Sequence, residues 1–127
     1  MLADMCVSVS MLASGSRGNC AIVASTQTRI LVDAGISCRE TFKRMKLLGE
    51  DPQSLNAILI THEHSDHIYG LATLAKKLRI PVFMTGPTHA AWARMPLVHF
   101  MYPTAFFLRV PFRSTKTHPP EAQLHLW

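Results

Sequence analysis

An α/β fold, a mixed sheet with flanking helices, follows from three features of the sequence. Short apolar runs recur near Met5–Met11, Cys20–Ala24, Arg29–Val32, Ala57–Ile60 and Pro81–Met84, each of strand length. Between the later runs lie segments with apolar residues at helical spacing and with capping residues at their ends. Turn-forming clusters rich in glycine, serine, asparagine or proline separate the two kinds of segment.

The first strand has Met5, Val7, Val9 and Met11 alternating with Cys6, Ser8 and Ser10, which gives it one apolar face. It ends at Ser14-Gly15-Ser16-Arg17-Gly18-Asn19. A hairpin turn whose glycines supply positive φ accounts for this stretch. A loop that approaches a site or a phosphate is the second reading; the spacing is not that of a P-loop, since no Gly-Lys-Ser or Gly-Lys-Thr follows. The third strand ends at Asp33-Ala34-Gly35. Asp33 is either a turn former or a carboxylate that orients a metal-bound imidazole from behind.

Ser37-Cys38-Arg39-Glu40 is a capping box, and it predicts a helix to about Leu48 that ends at Gly49. Cys38, Phe42, Met45 and Leu48 form its apolar stripe, while Arg39, Lys43, Arg44 and Lys46 lie mostly outside it, as a solvated face. A loop opened by Asp51-Pro52 leads to the strand Ala57–Ile60. Beyond it, Ile68, Leu71, Leu74, Ala75 and Leu78 predict a second helix, with Lys76, Lys77 and Arg79 complementing its carboxyl-terminal dipole. Pro87, in a first-turn position, starts a third helix through Ala90, Ala91 and Trp92.

The segment between the fourth strand and the second helix carries the chemistry. Thr61-His62-Glu63-His64-Ser65-Asp66-His67 packs four metal-ligating side chains into six positions. Residues two apart in extended chain point the same way, so His62 and His64 can serve one ion. Asp66 and His67 are adjacent, and a turn there directs them to a neighbouring ion. The cluster sits at the carboxyl end of a buried strand, where open α/β sheets place their sites.

From Met95 onward the pattern changes. Pro96, Pro103, Pro111, Pro119 and Pro120 are five of the eight prolines, and neither period holds for long. The sequence therefore divides into 1–94, a structured domain, and 95–127, a poorly specified proline-rich tail.

Bulk properties narrow the function. Of the 127 residues, 48% are hydrophobic and 17% charged, which excludes a disordered chain. The net charge of +5 suits an anionic partner. Cys6, Cys20 and Cys38 form no disulfide framework and read as small buried thiols. No stretch has the ~20 apolar residues of a membrane span, and the amino terminus lacks the basic start of a signal peptide, so a cytoplasmic protein without membrane contact is expected.

His62-x-His64-x-Asp66-His67 after an apolar strand resembles the metallo-β-lactamase superfamily motif. Leu12-Ala13-Ser14-Gly15-Ser16-Arg17-Gly18-Asn19 and Ile30-Leu31-Val32-Asp33-Ala34-Gly35 resemble the WalJ/YycJ-like branch, so the likeness runs from about Val7 to Trp92. It implies the amino-terminal half of an αββα sandwich. It implies metal ligands His62 and His64 on one Zn2+ and Asp66 and His67 on a second, with Mn2+ also compatible. It further implies hydrolysis of a phosphodiester, DNA above all, by a metal-activated water, with Asp66 also catalytic. β-Lactam, thioester or other ester hydrolysis on the same site is an alternative. A third reading is a truncated, non-catalytic metal-binding fragment. The family uses a later histidine on each metal and a later bridging aspartate, yet no aspartate follows Asp66 here. His118 and Glu121 are the stand-ins the tail offers. A fragment, or a reading-frame slip near Arg94, is expected on that ground.

Overall fold

The computed structural model describes residues 6–95 and the backbone of two further strands, 107–110 and 125–126. Among the described residues, seven strands form one mixed sheet in chain order. β1 (Ser8–Ala13), β2 (Cys20–Ala24) and β3 (Arg29–Val32) make an antiparallel meander. β4 (Ala57–Leu59), β5 (Val82–Thr85) and β6 (Phe107–Val110) continue parallel to β3, and β7 (His125–Leu126) returns antiparallel. Parallel neighbours need crossovers. These are α1 (Cys38–Leu47), the pair α2 (Ser65–Ile68) and α3 (Leu71–Leu78), and, on the way to β6, α4 (Gly86–Ala93).

One face of the sheet carries the core. Ile22, Leu31, Ile58 and Val82 stand side by side in register, and all are buried. Against them pack Cys38 and Met45 of α1, Ile68 of α2, Leu71, Leu74 and Ala75 of α3, and Trp92 of α4. The opposite face is also apolar. It holds Val9 and Val23 opposite one another, then Ile30 and Ala57, and beside them Met11, Ala21, Val32, Leu59 and Phe83. Here Val9 is 64%, Met11 58% and Leu59 37% exposed. The alternation predicted for β1 is thus present, but its apolar side points away from the helices and its serines toward them.

Local departures from the sequence reading have physical causes. Ser37 Oγ accepts from the Glu40 N–H as a capping box requires, but the Glu40 carboxylate turns to the Arg44 guanidinium at 3.0 Å. That neighbour holds the Glu40 carboxyl below its ordinary pKa. Leu48, expected on the buried stripe, caps the helix and is exposed. The single helix expected after the motif is broken at Gly70. Its N–H donates to Ala34 O at 2.8 Å, and a Cβ there would lie 2.0 Å from the Ile36 carbonyl. The chain must bend for the loop after β3 to pass. Cys6 is exposed, unlike Cys20 and Cys38. Among the described residues no helix is long and apolar enough to cross a membrane.

Candidate metal centre

Three segments meet at the carboxyl ends of β3 and β4: the hairpin end at Asn19, the turn Asp33-Ala34-Gly35 and the motif 61–67. They are stitched by backbone hydrogen bonds. Asn19 N–H donates to Asp66 O at 2.7 Å, Ala34 N–H to His67 O at 2.8 Å, and Gly35 N–H to Asn19 O at 2.9 Å. Gly35 permits this approach, because a Cβ would fall 1.7 Å from the Asp66 carbonyl oxygen.

Asp33 is the hub. It is buried at 6% exposure and adopts φ +61°, the left-handed region that aspartate tolerates better than most residues. Its Oδ1 accepts from the Thr61 N–H at 2.8 Å, and the Thr61 hydroxyl donates to the same carboxylate at 2.8–3.0 Å. Its Oδ2 lies 2.7 Å from His67 Nδ1. A carboxylate only accepts, so Nδ1 of His67 carries a proton directed at Asp33. A similar chain reaches His62. The Thr61 hydroxyl spends its one proton on Asp33, so at 2.9 Å it accepts from His62 Nδ1, which leaves His62 Nε2 as the free donor atom. One buried carboxylate thereby sets two imidazoles.

The remaining side chains are held differently. The Asn19 amide donates to Asp66 Oδ2 at 3.0 Å and approaches His67 Nε2 at 3.4 Å. His67 Nε2 and Asp66 Oδ2 are 3.4 Å apart. The His62 ring lies between the others, its centroid 4.5 Å from His64 and 3.9 Å from His67. The Thr88 hydroxyl of α4 donates to Glu63 at 3.3 Å and ties the motif to a third crossover. His64 is exposed. Among the described residues, no three His, Cys, Asp or Glu side chains are arranged to close on one ion.

The structure places the His62 ring beside those of His64 and His67, and Asp66 beside His67. His118 and Glu121 lie outside the described residues. Asn19 and Thr61 are site residues that the sequence reading passed over. Thr61 was visible as a hydroxyl beside a ligand, while Asn19 lies 47 positions from its partner and offers no local signal. Cys20 and Cys38 are buried free thiols. Burial, then the nearby Asp33 charge, pushes the Cys20 thiol up to about 12, and burial also raises that of Cys38.

Fold and site together define an α/β protein that presents a His/Asp-rich turn at the carboxyl ends of parallel strands. The sequence profile of the metallo-beta-lactamase superfamily matches residues 13–120, and the chain belongs to that superfamily. It is 42% identical over 82 residues to exodeoxyribonuclease WalJ of Streptococcus pneumoniae, covering 65% of this chain and 30% of that protein. It is 44% identical over 79 residues to exodeoxyribonuclease YycJ of Bacillus anthracis, covering 62% and 30%. The chain therefore spans about 30% of the length of these curated relatives. A metallo-β-lactamase of Cronobacter sakazakii superposes with a TM-score of 0.61 at 23% identity, over 68% of this chain and 35% of that one. The Rm3 metallo-β-lactamase superposes at 0.57 with 26% identity, over 65% and 31%.

Proposed function

We propose that this chain supplies the first ligands of a metal-dependent hydrolase that cleaves phosphodiester bonds, with DNA as the substrate class. The observation that carries the reading is the oriented pair of imidazoles: Asp33 and Thr61 engage His67 and His62 through Nδ1, which leaves each Nε2 as the ring nitrogen for an ion, beside the Asp66 carboxylate. Nitrogen and oxygen donors of this kind suit Zn2+, with Mn2+ as a second candidate. In this reading His62 and His64 hold one ion, and Asp66 and His67 a second. Each pair needs further donors to complete a tetrahedral shell. When bound, such ions lower the pKa of water toward ~7 and neutralise charge on a phosphoryl oxygen. The chain's own residues do the rest. Asp66, oriented by Asn19, accepts a proton or directs the attacking oxygen. Asp33 keeps the His67 proton on Nδ1, and Thr61 keeps that of His62 there. The 42–44% identity to exodeoxyribonucleases supports the choice of substrate.

The test uses zinc-binding titration together with hydrolysis of bis-p-nitrophenyl phosphate, a DNA duplex and nitrocefin. Metal-dependent phosphodiester cleavage that His64→Ala and Asp66→Ala each abolish, with unchanged circular dichroism, is expected. Turnover retained in both variants overturns the assignment, and nitrocefin turnover alone moves it to the β-lactam reading.

A further inference from the structure

Beside the proposed metal centre lies a second feature that the chemistry above does not use. A cavity of about 390 Å3, open to solvent, is lined by Ser14, Gly15, Ser16, Arg17, Ile36 and Arg44, among others. That volume falls in the range of ligand sites. Its floor is continuous with the site. A Cβ on Gly18 would lie 2.6 Å from the Ile36 side chain and 2.8 Å from Gly35 O, and Gly35 in turn rests on the Asp66 carbonyl.

The lining is polar and cationic. Arg44 is fixed rather than free: its Nη1 donates to Leu12 O at 2.6 Å and its Nε to Glu40 at 3.0 Å. Arg17 is exposed and lines the cavity together with Ser14 and Ser16. Two guanidinium groups, one fixed and one exposed, together with hydroxyl donors, recognise an oxyanion with tetrahedral oxygens better than any neutral ligand.

We propose that this cavity is a phosphate subsite. It takes a backbone phosphate of the nucleic-acid strand close to the bond that is cleaved, with Arg17 as the principal contact. The inference rests on the phosphodiester reading for the identity of the ligand, not for the existence of the anion site. The strand crosses from the hairpin Ser14–Asn19 to the ligand turn, and the hairpin sets how far from the bound phosphate the reacting phosphorus lies.

The experiment is fluorescence anisotropy of a labelled single-stranded oligonucleotide with the whole chain in EDTA, so that neither cleavage nor metal loading enters. Arg17→Ala is compared with Lys46→Ala, a charge loss on the exposed side of α1 that does not line the cavity. Arg17→Ala should weaken binding about fivefold and reduce the salt slope by about 0.7, with unchanged circular dichroism and zinc binding. Lys46→Ala should change neither. Equal weakening in both variants, no change in Arg17→Ala, or no binding by the parent chain overturns the proposal. A 5′-phosphorylated strand that binds tighter than the unphosphorylated one assigns the subsite to a terminal phosphate; equal binding assigns it to an internal diester. Failure of bis-p-nitrophenyl phosphate hydrolysis by the metal-loaded protein strikes the functional reading instead, and leaves this result standing.

Discussion

The two faces of the sheet are built from the same residue types and meet opposite surroundings. On one, Ile22, Leu31, Ile58 and Val82 are almost wholly removed from water by α1, α3 and α4. On the other, Val9, Met11 and Leu59 remain exposed among the described residues. Scattered exposed apolar residues are ordinary, whereas several on one sheet face make that face a candidate contact surface. The solved structures that resemble this chain are about three times as long as the portion it matches. The comparison teaches that strand patterning reports the apolarity of a sheet's two sides, whereas burial depends on what is laid against each.

Neighbouring residues on β4 give the strongest test of that contrast. Ile58 belongs to the covered face and Leu59 to the other. Ile58→Ala should cost about 2–5 kcal/mol, from lost transfer energy and the cavity left behind. Leu59→Ala should cost less than about 1 kcal/mol, because little collapses around it. Urea unfolding of both variants decides the matter, and equal losses would mean the second face is already covered.

Asp33 stands just past the carboxyl end of β3, buried between the sheet and the motif. Asp33→Asn keeps the shape but weakens the lock on His67 and the Thr61–His62 chain. Zinc affinity should fall about 10–100-fold, as for other outer partners of metal-binding histidines. Competition with a chromogenic chelator measures this without any turnover.

Cys20 sharpens the comparison through pH. It lies on the covered face, and its thiol ionises at about 12 rather than at the ordinary 9.0. The folded state therefore holds the proton longer than the unfolded state does. The contribution of the neutral thiol is complete below pH 9, and it declines as pH rises toward 12. Urea midpoints between about pH 8.5 and 10.5 should fall more steeply for the parent than for Cys20→Ala, by about 1.4 kcal/mol per pH unit at most. Parallel pH profiles would show that the thiol is hydrated.

The smallest effect on stability is expected on the open face. Val9→Lys with Met11→Lys should alter folding by no more than about 0.5 kcal/mol per site. It should also reduce concentration-dependent self-association, which sedimentation velocity reports. Unchanged association would place the sticky surface elsewhere.

Much of the candidate site was legible in the chain because its residues are local. His62, His64, Asp66 and His67 fall within one turn, and their spacing alone brings them together. The N-cap at Ser37 and the proline start of α4 were legible for the same reason, since a cap needs only its own first turn. The break at Gly70 was not, because helical spacing runs straight through it and the obstacle is the Ile36 carbonyl, distant in sequence. The roles of Asn19 and Thr61 escaped for the same reason: their partners Asp66 and Asp33 come from other segments.

The sequence by itself determined the alternation of strands and helices, the ligand turn and its place after an apolar strand, and the family to which they point. These depend on side-chain period and on contacts a few residues apart. Only the tertiary structure decided which face of the first strand meets the helices, that Asp33 governs two imidazoles, and that Arg17 and Arg44 share a cavity beside the site. Each of these depends on groups that are far apart in the chain and are brought together only when the hairpin, the β3 turn and the ligand turn close on one another.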